Sequence, residues 1–253
     1  MRRVRYEAIL FDLFDTLVLF DRDRLPLVQL DGRAVRTTAG HLHPLLAERY
    51  PETTLDAFHD ALVWSYQEAE RRRARDHREI PAGERFRLCY GRLGLDPGAV
   101  PEEVTGRLLA AHMLHLARAA ECPADHLALL DWLRGRARLG VVSNFDYAPT
   151  AHRVLERAGI RGRFEAVVVS EEVGWRKPRP EIFEVAFRRL GLGARAALFI
   201  GDRPEIDVLG AHGVGMDVAW LNPGREPFPE GLRPPTYELG RLADLRGVLE
   251  GKG

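Results

Sequence analysis

Four short stretches of this 253-residue chain place polar side chains directly after apolar runs. The first apolar run carries Asp12, Leu13, Phe14, Asp15 and Thr16 at its end. Ser143 and Asn144 follow Val142. Lys177 sits in Gly174-Trp175-Arg176-Lys177-Pro178. Gly201 and Asp202 follow Ile200, with Asp207 one helical turn further on. A carboxylate such as Asp12 can attack phosphorus or an activated carbon and form a covalent intermediate. Asp12 and Asp202 repel each other if brought together, unless a cation lies between them. Mg²⁺ suits that place, because it takes oxygen ligands, keeps several waters and neutralises nucleophile and substrate anion alike. Lys177 adds a point charge toward a transferring group. Ser143 and backbone N–H groups can hold that group's remaining oxygens.

Such residues meet only if strands deliver them to one edge. In an open α/β sheet, ligands bind outside the carboxyl ends of the strands. Glu7 to Phe14 reads as a buried strand. From Asp125 the pattern alternates strictly: helix Leu127 to Leu133, strand Leu139 to Ser143, helix Ala151 to Ala158, strand Phe164 to Ser170. A helix opened by Pro180 and Glu181, strand Ala197 to Gly201, helix Asp207 to His212 and strand Asp217 to Leu221 complete it. Each strand is apolar on both faces, as when helices cover both sides of a parallel sheet. Short crossovers predict that sequential strands are neighbours. The fold class expected is α/β: a doubly wound, open, parallel Rossmann-like sheet made from residues 1–20 and 125–253. The Pro- and Gly-rich stretch Asn222 to Pro235 is expected to be a surface loop.

Residues 21–124 interrupt this pattern and read as helical, with no clear strand. Leu55, Phe58, Leu62, Tyr66 and Ala69 recur at helical spacing behind the candidate N-caps Thr53 and Thr54. Phe86, Leu88, Tyr90 and Leu93 mark a second helix. Pro101 opens a third, with Val104, Leu108, Ala111 and Leu116. The run Arg71-Arg72-Arg73-Ala74-Arg75 is expected to be a solvated helix end facing the negative dipole. His41 with His43, and His112 with His115, lack acidic or cysteine partners and are not expected to bind metal. Trp64, Trp132, Trp175 and Trp220 are expected to pack in cores.

The four polar stretches resemble, in order, the four motifs of the haloacid dehalogenase-like hydrolase superfamily. Asp12 and Thr16 match Asp-x-x-x-Thr after a strand, Ser143 the strand-end hydroxyl, Lys177-Pro178 the lysine motif, and Asp202 with Asp207 the Gly-Asp-x-x-x-x-Asp motif. The insert is similar to the family's C1-type helical cap. By this resemblance Asp12 is the nucleophile and Thr16 and Ser143 hold the transferring group. Lys177 neutralises that group, and Asn144 is a candidate substrate contact. Mg²⁺ lies between Asp12, Asp202 and the backbone carbonyl of Phe14. Asp207 orients Lys177 or a metal-bound water. The implied activity is Mg²⁺-dependent phosphatase action on a small phosphate ester through an aspartyl phosphate on Asp12.

One position departs from the pattern. Family phosphatases carry a second aspartate, the general acid and base, two residues after the nucleophile, where this chain has Phe14. Haloacid dehalogenases have an aromatic there and a similar Ser-Asn, work without metal, and lack the Gly-Asp start of the fourth motif. A metal-independent 2-haloacid dehalogenase and a catalytically impaired binding protein therefore remain alternatives. Asp15 could supply a carboxylate, but neighbours on an extended chain point opposite ways.

Composition closes off other classes. Lysine plus arginine number 37, as do aspartate plus glutamate, so no basic excess points to nucleic acid. Cys89 and Cys122 match no zinc spacing and are too few for a disulfide scaffold, which fits a reducing cytoplasm. No stretch approaches the length of a membrane span, and the apolar N-terminal run is broken by Asp12 and Asp15, unlike a signal peptide. A homodimer is left open.

Overall fold

The structure, a computed structural model, describes residues 4–251. The chain divides into two compact units: residues up to Phe20 with those from Glu121 onward, and Asp21–Ala120. The first unit opens with β1 (Ala8–Phe11), followed by the two-residue strand β2 (Leu19–Phe20). β1 is shorter than the strand expected over Glu7 to Phe14, because the chain turns sharply after Asp12. Leu17 and Val18 both donate their N–H to Leu13 O, at 3.0 and 2.8 Å.

The Asp21–Ala120 unit is not purely helical. It begins with an antiparallel hairpin, β3 (Leu27–Leu30) and β4 (Arg33–Arg36), which corrects the expectation of no strand. The signal is Asp31-Gly32: both residues take positive φ, 46° and 73°, as a two-residue hairpin turn of matching twist requires. Four helices follow: α1 (Ala39–Ala47), α2 (Leu55–Asp76), α3 (Ala82–Arg92) and α4 (Glu102–Ala119). Thr54, not Thr53, caps α2 by accepting from Ala57 N at 3.2 Å. Leu42, Phe58, Leu62, Phe86, Tyr90 and Leu108 form this unit's core. The arginine run does close α2, but Arg73 is buried rather than solvated. Its guanidinium pairs with Glu79 at 2.9 Å and Glu70 at 2.6 Å and donates to Ile80 O. A helix end that folds back over its own last turn buries whichever cation faces inward.

The chain returns through β5 (Ala120–Glu121), and the sheet-bearing unit resumes at 121 rather than 125. Its elements are α5 (Ala124–Leu133), β6 (Arg138–Ser143), α6 (Ala148–Arg157), β7 (Ala166–Val169), the single turn α7 (Ser170–Val173), α8 (Pro180–Leu190) and β8 (Ala197–Gly201). A π-helical turn (Pro204–Val208) leads into α9 (Leu209–Gly213), then β9 (Asp217–Leu221), β10 (Tyr237–Leu239) and α10 (Leu245–Leu249). Six strands form one parallel sheet in the order β10-β9-β8-β1-β6-β7. Sequential strands therefore adjoin in β6–β7 and β8–β9–β10, but not between β7 and β8, where β1 and β6 intervene. The neighbour expectation fails there because the central place was already taken by the first strand. β10, with only three residues, carries too little pattern to be read from sequence.

All four residues of β1 are fully buried. Ala8 and Leu10 share one cluster with Ile182, Phe183, Phe199 and Ala211. Ile9 and Phe11 point to the opposite face by the two-residue period. Each large apolar side chain so buried stabilises the fold by about 1.5–3 kcal/mol. Trp220 joins the cluster, but the other tryptophans are only partly buried. Trp64 lies beneath Arg92, Trp175 beneath Arg179, and Trp132 beneath both Arg136 and Arg246. Among the described residues, no helix is long and apolar enough to cross a membrane.

Candidate active site

Register decides which side chains converge. Phe11 pairs with Val141 on β6 and with Ile200 on β8, so the next residue, Asp12, leaves the sheet at the carboxyl edge between two strand ends. Its N–H still donates to Ile200 O at 2.8 Å, which fixes the backbone there. The chain reverses direction between β7 and β8, making the β6–β1–β8 edge the topological switch point where doubly wound sheets bind ligands.

The turn after Asp12 brings Thr16 back under the edge. Thr16 is fully buried, and its hydroxyl donates to Asp202 Oδ1 at 3.2 Å. This contact ties Thr16 to the Asp202 carboxylate. Asp15 takes φ 61° and faces away: its Oδ1 accepts from Phe20 N at 3.1 Å. Phe14 turns its ring onto Phe145, with centroids 4.7 Å apart.

Lys177 enters from the loop between α7 and α8. Asn144 holds that loop at both ends of one peptide residue: its Nδ2 donates to Lys177 O at 3.0 Å, and Lys177 N donates to its Oδ1 at 2.8 Å. Asn144 thus positions Lys177, a different contact from the substrate contact expected of it. The ammonium lies 2.5 Å from Asp12 Oδ1 and 2.9 Å from Asp207 Oδ1, over the face of Phe199. Asp207 is itself anchored, its Oδ2 accepting from Arg203 N at 3.1 Å. Gly201 must lack a side chain for this packing: a Cβ there would fall 2.4 Å from Asp207 Cγ. Trp220 donates its indole N–H to Asp202 O at 2.9 Å, steadying the residue after β8.

Ser143 ends β6. Its Oγ is buried and has no hydrogen-bond partner among the described residues. A buried hydroxyl left without a partner costs about 1–3 kcal/mol, so this one suits a partner atom brought by water or by a ligand. Ser170 pins the following loop, accepting from Phe145 N at 2.9 Å and donating to Phe145 O at 3.2 Å.

One ammonium here faces three carboxylates. Ligand oxygens of Asp12, Asp202 and Asp207 all lie within 4.8 Å of one another. Burial pushes the Asp12 carboxyl up to about 7; Lys177 opposes the shift, while Asp207 and Asp202 add to it. Asp202 rises to about 6, through burial and then the Asp207 charge, against Lys177. Burial alone would depress Lys177, but Asp12 and Asp207 together outweigh it and hold the ammonium above the usual lysine range. The site carries more negative charge than its own lysine can balance. Its donors are all oxygens, which fits a hard divalent cation such as Mg²⁺ and not a thiol- or imidazole-seeking metal.

The family description haloacid dehalogenase-like hydrolase matches residues 6–215. The chain belongs to that family. The glyceraldehyde 3-phosphate phosphatase of Methanopyrus kandleri is 31% identical over 247 residues, covering 96% of this chain and 97% of that one. The pyrimidine 5'-nucleotidase YjjG of Escherichia coli is 32% identical over 166 residues, 65% of this chain and 69% of that protein. Among solved structures, a 2-haloacid dehalogenase from Pseudomonas syringae superposes with a TM-score of 0.69 at 22% identity, over all of both chains, a likeness of fold. Three residues of this haloacid dehalogenase-like site escaped the sequence reading: Phe199 beneath Lys177, Ser170, and Trp220 in its role at Asp202. Only Trp220 carried a signal, since a buried indole N–H needs an acceptor.

Proposed function

We propose that this hydrolase is a Mg²⁺-dependent phosphatase acting on a small phosphorylated metabolite through an aspartyl phosphate on Asp12. The observation that carries the reading is the oxygen-only cluster of Asp12, Asp202 and Asp207, whose charge exceeds what Lys177 balances. The Methanopyrus kandleri relative is named a phosphatase and the Escherichia coli relative a 5'-nucleotidase, in line with it.

Asp12, Asp202 and the backbone carbonyl of Phe14 would hold the metal, while Asp207 is committed to Lys177. When bound, Mg²⁺ supplies Lewis-acid neutralisation of the phosphoryl oxygens. The residues of the chain do the rest. Asp12 presents a carboxylate oxygen to phosphorus, its backbone locked to β8. Lys177, held by Asn144 through its backbone, neutralises nucleophile and incoming phosphoryl charge in turn. Ser143 offers its hydroxyl to a phosphoryl oxygen, and Thr16 orients Asp202. The Asp21–Ala120 unit serves as the C1-type cap that selects the substrate. We place the reaction in the cytoplasm, which suits two free thiols, Cys89 and Cys122.

The test is Mg²⁺-dependent phosphate release from p-nitrophenyl phosphate, abolished by Asp12→Asn and by a chelator. A rate unchanged by Asp12→Asn overturns the reading. The Phe14–Phe145 aromatic pair beside Ser143-Asn144 favours a second reading, a 2-haloacid dehalogenase. That reading predicts halide release from 2-chloropropionate with chelator present.

A further inference from the structure

We infer that the substrates are phosphates whose leaving group departs without a proton: acyl phosphates and other activated phosphates, rather than simple alkyl esters. This deepens the phosphatase reading and rests on it. Two residues beyond the nucleophile, the chain places a hydrocarbon ring packed on a second ring, Phe14 on Phe145. The ionisable side chains around Asp12 and Asp202 are each engaged elsewhere. Lys177 donates to Asp12 and forms an ion pair with Asp207. Asp207 is paired with that ammonium and accepts from Arg203 N through its other oxygen. Asp202 accepts from Thr16. Asp15, the remaining carboxylate beside the nucleophile, is turned to Phe20 N by its left-handed backbone. Among these described side chains, the sheet-bearing unit therefore offers charge neutralisation at the phosphoryl group, and none stands at the Phe14 position to protonate a departing alkoxide.

The chemistry then selects the substrate. As Asp12 Oδ bonds to phosphorus, the P–O bond to the leaving group breaks, and that group takes the electron pair and departs as an anion. A carboxylate or a phenolate bears that charge unaided, whereas an alkoxide does not. In the second step water adds to phosphorus and the P–O bond to Asp12 breaks, restoring the carboxylate. The water's protons remain on inorganic phosphate or pass to solvent. A general acid or base contributes about 10²–10⁴-fold to such transfers, so its lack shows as selectivity between leaving groups.

The experiment compares kcat/KM of the whole Mg²⁺-loaded protein for acetyl phosphate, p-nitrophenyl phosphate, phenyl phosphate and glycerol 1-phosphate. We expect a steep decline along that series, with glycerol 1-phosphate at least about a hundredfold below acetyl phosphate. Phe14→Asp should flatten the series, raising kcat/KM for the glycerol ester about a hundredfold relative to that for acetyl phosphate in the same variant. Equal values across the series in the unaltered protein overturn the inference and leave the Asp12 phosphatase reading standing. Phosphate release from none of the four overturns both. Because the series is read first on the unaltered chain, a misfolded Phe14→Asp variant does not rescue the proposal.

Discussion

Lys177 Nζ lies 2.5 Å from Asp12 Oδ1 although 165 positions separate them, in a site where both side chains are largely withdrawn from water. The pair sets the proposed nucleophile beside a neutralising charge. The same ammonium also lies 2.9 Å from Asp207 Oδ1.

Lys177→Met should abolish turnover and destabilise the protein. Removing one partner of a buried ion pair costs about 3–5 kcal/mol, because the carboxylates left behind are uncompensated. Thermal denaturation at neutral pH reads the loss. The deficit should shrink as pH falls, when Asp12 can take up a proton. A melting temperature equal to that of the unaltered protein would show that the pair contributes nothing to the fold.

The raised carboxylates give the metal-free protein a defined pH dependence. Asp12 near 7 and Asp202 near 6 stand above the unfolded values of about 4. The folded state thus binds protons more tightly than the unfolded state. Their contribution to stability is complete below about pH 4 and is lost as pH rises through about 6 to 7. Melting temperatures in chelator should fall across that window relative to those of an Asp12→Asn, Asp202→Asn double variant. Mg²⁺ competes with those protons, so the stabilisation it confers should grow over the same range. Parallel curves for the two proteins would remove the assignment.

Ser143→Ala separates function from fold. The hydroxyl has no partner to lose, so the melting temperature should hold or rise. If the hydroxyl donates to a transferring phosphoryl oxygen, kcat should fall about 10²–10³-fold, as when one preorganised donor is removed. An equal drop in stability and rate would instead mark Ser143 as a packing residue.

Trp220→Phe keeps the aromatic packing and deletes the N–H bond to Asp202 O. Loss of a group that steadies a metal-ligating residue commonly weakens metal affinity about 10–100-fold. A Mg²⁺ titration followed by the shift in melting temperature measures it, without reference to turnover. Unchanged affinity would confine Trp220 to the core.

Local patterns carried much of this architecture. The buried strand before Asp12, the alternation from Asp125 onward and the helices around Phe58, Phe86 and Leu108 are written in apolar periods of two and 3.6 residues. Such periods follow from backbone geometry alone. The hairpin turn at Asp31-Gly32 was equally legible, since an Asp-Gly pair between short apolar runs signals it, but it passed unread inside a helical stretch. Strand ends and residue types likewise marked Asp12, Ser143, Lys177, Asp202 and Asp207 as able to do chemistry.

The order of the sheet and the choice of partners were settled only by tertiary structure. That β1 lies between β6 and β8 cannot be read from crossover length, because each strand can satisfy its hydrogen bonds against several others. The same holds for Arg73, buried by Glu79 where the local sequence suggested solvent, and for Thr16 and Asn144, bound to Asp202 and to the Lys177 backbone. Sequence determines which groups a side chain carries and the period of its element. Which atom lies about three ångströms from it depends on how other chain segments, near or far in sequence, pack against it.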